Sequence, residues 1–173
     1  MSEPGRIGVL ISGRGTNLQA IIDAAATGRV AADVSVVISN RADAAGLDRA
    51  RRAGIPTMVL PHREYETRQA YDQALVAALR QHQVTLVCLA GFMRILGATF
   101  VEAFPNAVLN IHPSLLPAFP GTDAPAQAIR HGVRVSGVTV HLVTTELDAG
   151  PILLQAAVKV DPFDTPAQLA ERQ

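Results

Sequence analysis

This sequence predicts an α/β fold: a mostly parallel central sheet with helices on both faces and an antiparallel part in its C-terminal half. Three observations carry the expectation. Short apolar runs alternate with helical patterns through the N-terminal part of the chain, as strand–helix–strand units do. The runs are apolar at nearly every position rather than at alternate ones, which strands covered on both faces require. Beyond about residue 107 the helical patterns thin out and strand-like runs follow one another more closely, which suits a sheet that turns antiparallel.

The elements follow in order. Ile7-Gly8-Val9-Leu10-Ile11 is the first strand, ended by the turn-forming Ser12-Gly13-Arg14-Gly15. A helix comes next, with Leu18, Ile21, Ile22 and Ala25 on one face and Gly28 near its end. Residues 34–38 read as a strand, 44–53 as a helix stopped by Gly54, and 56–60 as a short strand. Tyr71, Leu75, Ala78 and Leu79 recur at helical spacing, which predicts a helix over 68–81. Residues 84–89 are a strand apolar almost throughout, and 108–111, 133–143 and 152–160 are the later strands. No internal repeat, low-complexity tract or linker interrupts the 173 residues, so one domain over 1–173 is expected, long enough for a real core.

Composition narrows the function. Hydrophobic residues make up 49% and charged residues 17%, which is globular rather than disordered. A formal net charge of +0 offers no basic field for nucleic acid, and the lack of tryptophan argues against a base-stacking platform. Cys88 is the single cysteine, inside an apolar strand, so it reads as a small core hydrophobe rather than a reactive thiol. No apolar run approaches the roughly 18 residues of a membrane span, and no leader pattern precedes the first strand, so the cytoplasm is the expected compartment.

Four segments carry polar groups where chemistry is expected. The turn Ser12-Gly13-Arg14-Gly15-Thr16-Asn17 joins strand to helix. Its glycines let backbone N–H groups face an anion at a helix N-terminus, and Thr16 with Gln19 has the form of a capping box. It is neither a dinucleotide fingerprint nor a P-loop, and a plain tight turn explains it equally well. In Leu109-Asn110-Ile111-His112-Pro113-Ser114-Leu115-Leu116-Pro117, Asn110 and His112 stand two apart and share a strand face. Asn can donate to a developing oxyanion and His can move a proton near neutral pH; a lone strand-end His is, however, commonly structural. Glu146-Leu147-Asp148-Ala149-Gly150-Pro151 sets an acid on a turn, where solvation is the ordinary fate. Ala90-Gly91-Phe92-Met93-Arg94-Ile95-Leu96 leaves the carboxyl end of a strand, where ligands gather in open α/β sheets; Arg94 in solvent is the plain alternative. Of the five histidines, His62, His82 and His131 read as solvated, and His141, alternating with Thr139, either lines a site or fills the core. Their spacing matches no metal-ligand pattern, so no metal is expected.

These four blocks, in this order, resemble the folate-dependent phosphoribosylglycinamide formyltransferases, and the resemblance runs from about Ile7 to the end of the chain. It implies the formyltransferase fold, a Rossmann-like sheet. It implies transfer of formyl from 10-formyltetrahydrofolate, as co-substrate and without metal, to the glycine amine of phosphoribosylglycinamide in purine biosynthesis. Gly13, Arg14, Gly15, Thr16 and Asn17 would hold the substrate phosphate. Arg68, Met93, Arg94, Ile95, Leu96, Asn110, Thr144, Thr145, Glu146, Leu147 and Asp148 would line the folate site. Asn110, His112 and Asp148 would be the catalytic trio: Asn110 donating to the tetrahedral oxyanion, His112 moving the proton, and Asp148 orienting His112 and favouring its charged form. The partners implied are small molecules, not nucleic acid or membrane, and the chain would act as a monomer or homodimer.

Two departures from the family pattern stand out. Thr122-Asp123-Ala124-Pro125-Ala126 replaces a loop that often carries histidines, and is reminiscent of methionyl-tRNA formyltransferases. The family also continues with a helix beyond this point, so the domain is expected to lack its C-terminal helix. A formyltetrahydrofolate hydrolase is a sibling alternative, and a non-catalytic phosphometabolite-binding module a distant one.

Overall fold

The computed structural model describes residues 5–173; the expectation that no leader precedes the first strand falls in part on residues outside that range. The chain divides into two compact units, Met1–Val108 and Leu109–Gln173.

The first unit is built on four parallel strands, β1 (Gly5–Ile11), β2 (Ala32–Ser39), β3 (Thr57–Val59) and β4 (Leu86–Leu89), side by side in the order β3-β2-β1-β4. Val9, Leu10, Ile11, Val36, Val37 and Ile38 are all fully buried, so consecutive residues on both faces are covered, as the unbroken apolar runs require. One face of β1, carrying Ile7, Val9 and Ile11, packs with Leu18 and Ile22 of α1 (Thr16–Ala26) and Leu47 and Ala50 of α2 (Gly46–Arg52). On the other face Gly8 leaves room for α3 (Arg68–Gln81): a Cβ there would lie 2.5 Å from Leu79 Cδ2. Thr67 caps α3 by accepting the Ala70 N–H at 3.1 Å, and the helix covers the residues its spacing predicts. A short helix, α4 (Ala98–Ala103), follows β4.

Two local expectations change. The helix expected from residue 44 starts at Gly46, because Leu47 and Asp48 donate to the carbonyls of Ala44 and Ala45 in a tighter turn. The capping box expected at Thr16 and Gln19 does not form. Gly15, at φ 72°, occupies the N-cap of α1 instead, so the Thr16 hydroxyl already lies inside the helix. Gln19 reaches forward to the Asp23 carboxylate at 2.9 Å.

The second unit is antiparallel. β5 (Val108–His112) pairs with β6 (Val135–Leu142), which pairs with β7 (Ile152–Lys159). The antiparallel part expected in the C-terminal half is therefore present. Two short helices complete the unit, α5 (Ala124–Arg130) and α6 (Pro166–Arg172). A capping box does form here, on Thr165 and Gln168 with a proline in the first turn of α6. Ala128, Val160 and Leu169 make a small core between these helices and the strands. Among the described residues no helix is long and apolar enough to cross a membrane.

Candidate active site

The antiparallel register of the second unit decides the placement of its polar side chains. Asn110 stands opposite His141, and His112 opposite Thr139, across the β5–β6 ladder. Since residues two apart share a face, all four point to one side. His112, Thr139 and His141 are buried, at 5%, 0% and 2% exposure. Thr139 braces the chain after β5: its hydroxyl donates to the Ser114 carbonyl at 2.7 Å and accepts the Leu116 N–H at 3.0 Å. Gln155 on β7 donates to the Leu116 carbonyl at 2.9 Å. The Leu116–Pro117 peptide is cis.

The acid arrives on a turn that only glycine allows. A Cβ on Gly150 would lie 1.8 Å from the Leu142 carbonyl oxygen. This close approach, with Leu142 N–H donating to the Pro151 carbonyl at 2.9 Å, folds the turn back on the end of β6. Asp148 has φ 49°, a left-handed conformation that Asp tolerates better than most residues. Its side chain is only 8% exposed, so it is not the solvated turn acid its local sequence suggests. Oδ2 accepts the Gly121 N–H at 2.8 Å and lies 3.5 Å from His112 Nδ1, while Oδ1 lies 3.7 Å from His141 Nε2. The structure thus brings Asn110, His112 and Asp148 into one cluster, and adds His141 between Asn110 and Asp148.

Hydrogen bonding assigns the ring protons. His112 Nε2 is 2.8 Å from the Phe119 carbonyl, which can only accept, so Nε2 carries a proton and Nδ1 is the nitrogen facing Asp148. His141 Nδ1 is 3.0 Å from the Leu142 carbonyl and is protonated for the same reason. In the neutral ring this leaves Nε2 to accept from Asn110 Nδ2 at 3.2 Å, which turns the Asn110 amide. The alternation of Thr139 with His141 is the only sequence signal for this fourth residue. Nothing local marks the Phe119 carbonyl or the Gly121 N–H. Thr144 closes a small turn on Glu146 at 3.3 Å, and Thr145, Glu146 and Leu147 are exposed. In place of the loop histidines, Asp123 at φ 58° starts α5, and Gln127 bonds back to the Pro120 and Thr122 carbonyls.

In the first unit the turn after β1 is packed backbone on backbone. Gly46 donates to the Gly13 carbonyl at 2.9 Å, and a Cβ on Gly15 would lie 2.6 Å from Gly46 Cα. Arg49 Nε donates to the Arg14 carbonyl at 2.9 Å. No side chain caps α1, so its first-turn N–H groups receive no side-chain acceptor and, with the positive end of the helix dipole, suit an anion.

Three of the predicted residues, Arg68, Arg94 and Ile95, line a cavity of about 200 Å³ in this unit, together with His62, Tyr65, Glu66, Thr67 and Tyr71, which the sequence did not single out for a site. Tyr65 and Tyr71 meet edge-on, their centroids 5.3 Å apart. The Tyr71 hydroxyl is buried without a partner among the described residues, and burial pushes its pKa up. His62 is half-buried rather than solvated; burial first, then Arg94 and Arg63, lower its pKa. Met93, Arg94 and Ile95 are exposed, while Leu96 is buried. A larger cavity of about 430 Å³, between Gln73 and Arg80 of α3 and Thr99 and Glu102 of α4, holds none of the predicted site residues.

Buried polar groups that no sequence pattern marks support these segments. Asp72 Oδ2 accepts the Gly97 N–H at 2.9 Å, and burial raises the Asp72 pKa against that bond and Arg68. Asn40 joins Ser12 to His62. Cys88 is partly buried against the core, and desolvation raises its pKa to about 11, as expected of a packing residue. Among the described residues, no cluster of three or more His, Cys, Asp or Glu could hold a metal ion.

Residues 5–173 match the family described as Formyl transferase. The chain is 48% identical over 164 residues to the phosphoribosylglycinamide formyltransferase of Escherichia coli (strain K12), covering 95% of this chain and 77% of that protein. It is 52% identical over 167 residues to the human trifunctional purine biosynthetic protein adenosine-3; the match covers 96% of this chain but only 16% of that much longer protein. The crystal structure of glycinamide ribonucleotide transformylase 1 from Symbiobacterium toebii superposes with a TM-score of 0.98 at 55% identity, covering 99% of this chain and 81% of that one. With a shared fold, a match across the described residues and identity near one half, the chain belongs to the formyl transferase family, in its phosphoribosylglycinamide formyltransferase branch.

Proposed function

We propose that this chain transfers a formyl group from 10-formyltetrahydrofolate to the glycine amine of phosphoribosylglycinamide, giving the N-formyl product and tetrahydrofolate in purine biosynthesis. The observation that carries the reading is the cluster of half-buried Asn110 with the buried side chains of His112 and Asp148, His112 Nδ1 lying 3.5 Å from the Asp148 carboxylate. Attack of an amine on a formyl carbon puts negative charge on the formyl oxygen and positive charge on nitrogen. Asn110, its amide oriented by His141, donates one N–H to that oxygen; such a donor is typically worth about 3 kcal/mol of barrier. His112 takes the amine proton at Nδ1, because Nε2 is committed to the Phe119 carbonyl, and passes it to the folate nitrogen as the tetrahedral intermediate collapses and the bond from that nitrogen to the formyl carbon breaks. An imidazolium formed there during turnover meets the Asp148 carboxylate, which the Gly121 N–H holds in place. Low exposure keeps water from competing for these groups.

Binding follows from the first unit. The uncapped start of α1 and the backbone of Gly13, Arg14, Gly15, Thr16 and Asn17 take the substrate phosphate. The folate donor is flat, aromatic and acidic; Tyr65, Tyr71 and Ile95 offer it apolar walls, and Arg68 and Arg94 offer it cations. Met93 and Leu96 beside them complete the folate contacts of this unit. The 173 residues work as one formyltransferase domain on small molecules, as a monomer or homodimer in the cytoplasm. A single cysteine, which can form no intrachain disulfide, is in keeping with that compartment.

The test is a steady-state assay of the purified protein with both substrates, repeated without the amine acceptor and with methionyl-tRNA as acceptor. Formylation that requires phosphoribosylglycinamide supports the proposal. Rapid deformylation without acceptor, or efficient formylation of the tRNA, replaces it with a sibling activity.

A further inference from the structure

Ser12 ends β1 and opens the glycine turn, yet its side chain is buried at 5% exposure. It accepts the Met93 N–H at 2.8 Å and donates its own proton to Asn40 Oδ1 at 2.7 Å. Asn40, which follows the last residue of β2, is buried at 6% exposure, and its Nδ2 lies 3.3 Å from His62 Nδ1. The Ser12 hydroxyl accepts the Met93 N–H and donates to the Asn40 carbonyl. That leaves the Asn40 amide facing His62 Nδ1, which accepts in the tautomer that carries its proton on Nε2. Chains of this kind polarise one another and rigidify what they join.

What the relay joins is one-sidedly supported. Met93 is 71% exposed and Ile95 53%, so side-chain packing holds neither in place. Gly91 before them has φ 75° and nothing within reach of a Cβ. Leu96 is buried and anchors the end of the segment; before it the chain is held by its backbone, with Ala90 N–H on the Leu10 carbonyl, Met93 N–H on Ser12, and Gly97 N–H on Asp72 beyond. Of these, only the Ser12 bond falls within residues 93–96. Ser12 is also bonded covalently to Gly13, whose carbonyl is fixed by Gly46.

We infer that Ser12, with Asn40 behind it, is a positioning residue for the transfer reaction: it shapes the donor-binding segment 93–96 from the turn that takes the substrate phosphate. The inference rests on the proposed roles of those two segments in binding. Ser12 and Asn40 act through the Met93 backbone rather than on a reacting atom, and their loss affects how the donor binds before it affects the chemistry.

The experiment compares wild type with Ser12→Ala, Asn40→Ala, Ser12→Thr and the Ser12→Ala/Asn40→Ala double variant, measuring kcat, KM for each substrate, Kd for tetrahydrofolate by calorimetry, and the thermal midpoint. Ser12→Ala is expected to raise the donor KM and the tetrahydrofolate Kd about 10-fold, the usual effect of leaving buried partners unpaired, with kcat within about 3-fold of wild type. Asn40→Ala moves the same constants less far, Ser12→Thr restores them, and the double variant is no worse than Ser12→Ala because the two act in one chain. An unchanged donor KM and tetrahydrofolate Kd in Ser12→Ala overturns the inference. So does a fall in kcat, both affinities and the thermal midpoint together, which a merely structural serine would cause. Should Ser12→Ala not fold, Asn40→Ala carries the same comparison. A wild type that binds tetrahydrofolate but does not formylate phosphoribosylglycinamide defeats the proposed function alone, and the Kd comparison still decides the role of Ser12. A wild type that binds no tetrahydrofolate defeats both.

Discussion

The two units hold their functional residues in opposite ways. In Leu109–Gln173 the side chains assigned to the chemistry are buried or, for Asn110, half-buried, and locked to one another: His112 between the Phe119 carbonyl and Asp148, His141 between Asn110 and the Leu142 carbonyl. In Met1–Val108 the side chains assigned to binding, Arg14, Arg68, Met93 and Arg94, are exposed, and the buried polar groups, Ser12, Asn40 and Asp72, are spent on holding segments in place. The difference follows from what each must do. A group that meets developing charge works best dry and preoriented, since it then costs no reorganisation as the charge appears. A group that gathers a ligand has to be reachable. Substitutions in the Asn110–His112–Asp148 cluster should therefore fall on kcat, and those at the binding groups of the first unit on KM.

His112→Ala is the strongest way to break this contrast. It removes the proton-handling group, and kcat should fall by about 10³-fold, within the range for general acid–base groups, with both KM values within a few-fold. Full activity in steady-state assays would remove His112 from the mechanism. Asn110→Ala comes next, with a loss in kcat of about 10²-fold expected for one oxyanion donor. If its effect appears in the donor KM alone, Asn110 belongs with the binding groups. On the other side of the contrast, Arg68→Ala and Arg94→Ala should each raise the donor KM about 10-fold, as loss of a charge-assisted hydrogen bond does, and leave kcat nearly intact. A collapse of kcat in either would erase the distinction between the units.

Asp72→Asn sharpens the comparison through pH. The folded chain holds the Asp72 carboxyl above its ordinary value, chiefly through burial. It therefore binds that proton more tightly folded than unfolded. The resulting stability is fully present below the unfolded value of 3.8 and is lost as pH rises through the raised folded value. D72N keeps an oxygen for the Gly97 N–H but has no proton to lose, so its urea midpoint should decline less than that of wild type over that interval. Parallel pH curves for the two proteins would place the ionisation elsewhere. The smallest effect concerns Cys88. With its thiol raised to about 11, roughly one molecule in a thousand is thiolate at pH 8, so thiol reagents should modify the folded protein far more slowly than the unfolded one. Cys88→Ala should leave kcat nearly unchanged; rapid labelling of the folded chain would contradict the packing role.

Much of the fold is legible in the residue pattern alone. The long apolar runs form β1, β2 and β4, and the spacing of Tyr71, Leu75, Ala78 and Leu79 forms α3 with its residues in place. The helices that the pattern does not reveal, α4, α5 and α6, have only six or seven residues each. At 3.6 residues per turn, two turns contain little periodicity; α2, of the same length, is marked instead by Gly54 as its stop. The Thr16 capping box fails for a different reason. The residue pattern is present, but the left-handed Gly15 takes the cap position first. The candidate site is legible in part: Asn110 and His112 share a strand face by period alone, whereas the burial of Asp148 depends on Gly150 meeting Leu142 and on Gly121, far away in sequence.

By itself, then, the sequence determined the order of the strands and of helices α1 to α3, the covering of the parallel strands on both faces, and, through the resemblance its four blocks carry, the family. These are consequences of local periodicity and residue type, which a chain carries whether or not it is folded. Tertiary structure alone decided that His141 turns the Asn110 amide, that Phe119 commits one nitrogen of His112, that Asp148 leaves solvent for two histidines, and that Ser12 faces Met93 rather than water. Each of those is a hydrogen bond or charge pair whose partners meet only after the chain has folded, and its direction depends on which neighbour can only donate or only accept.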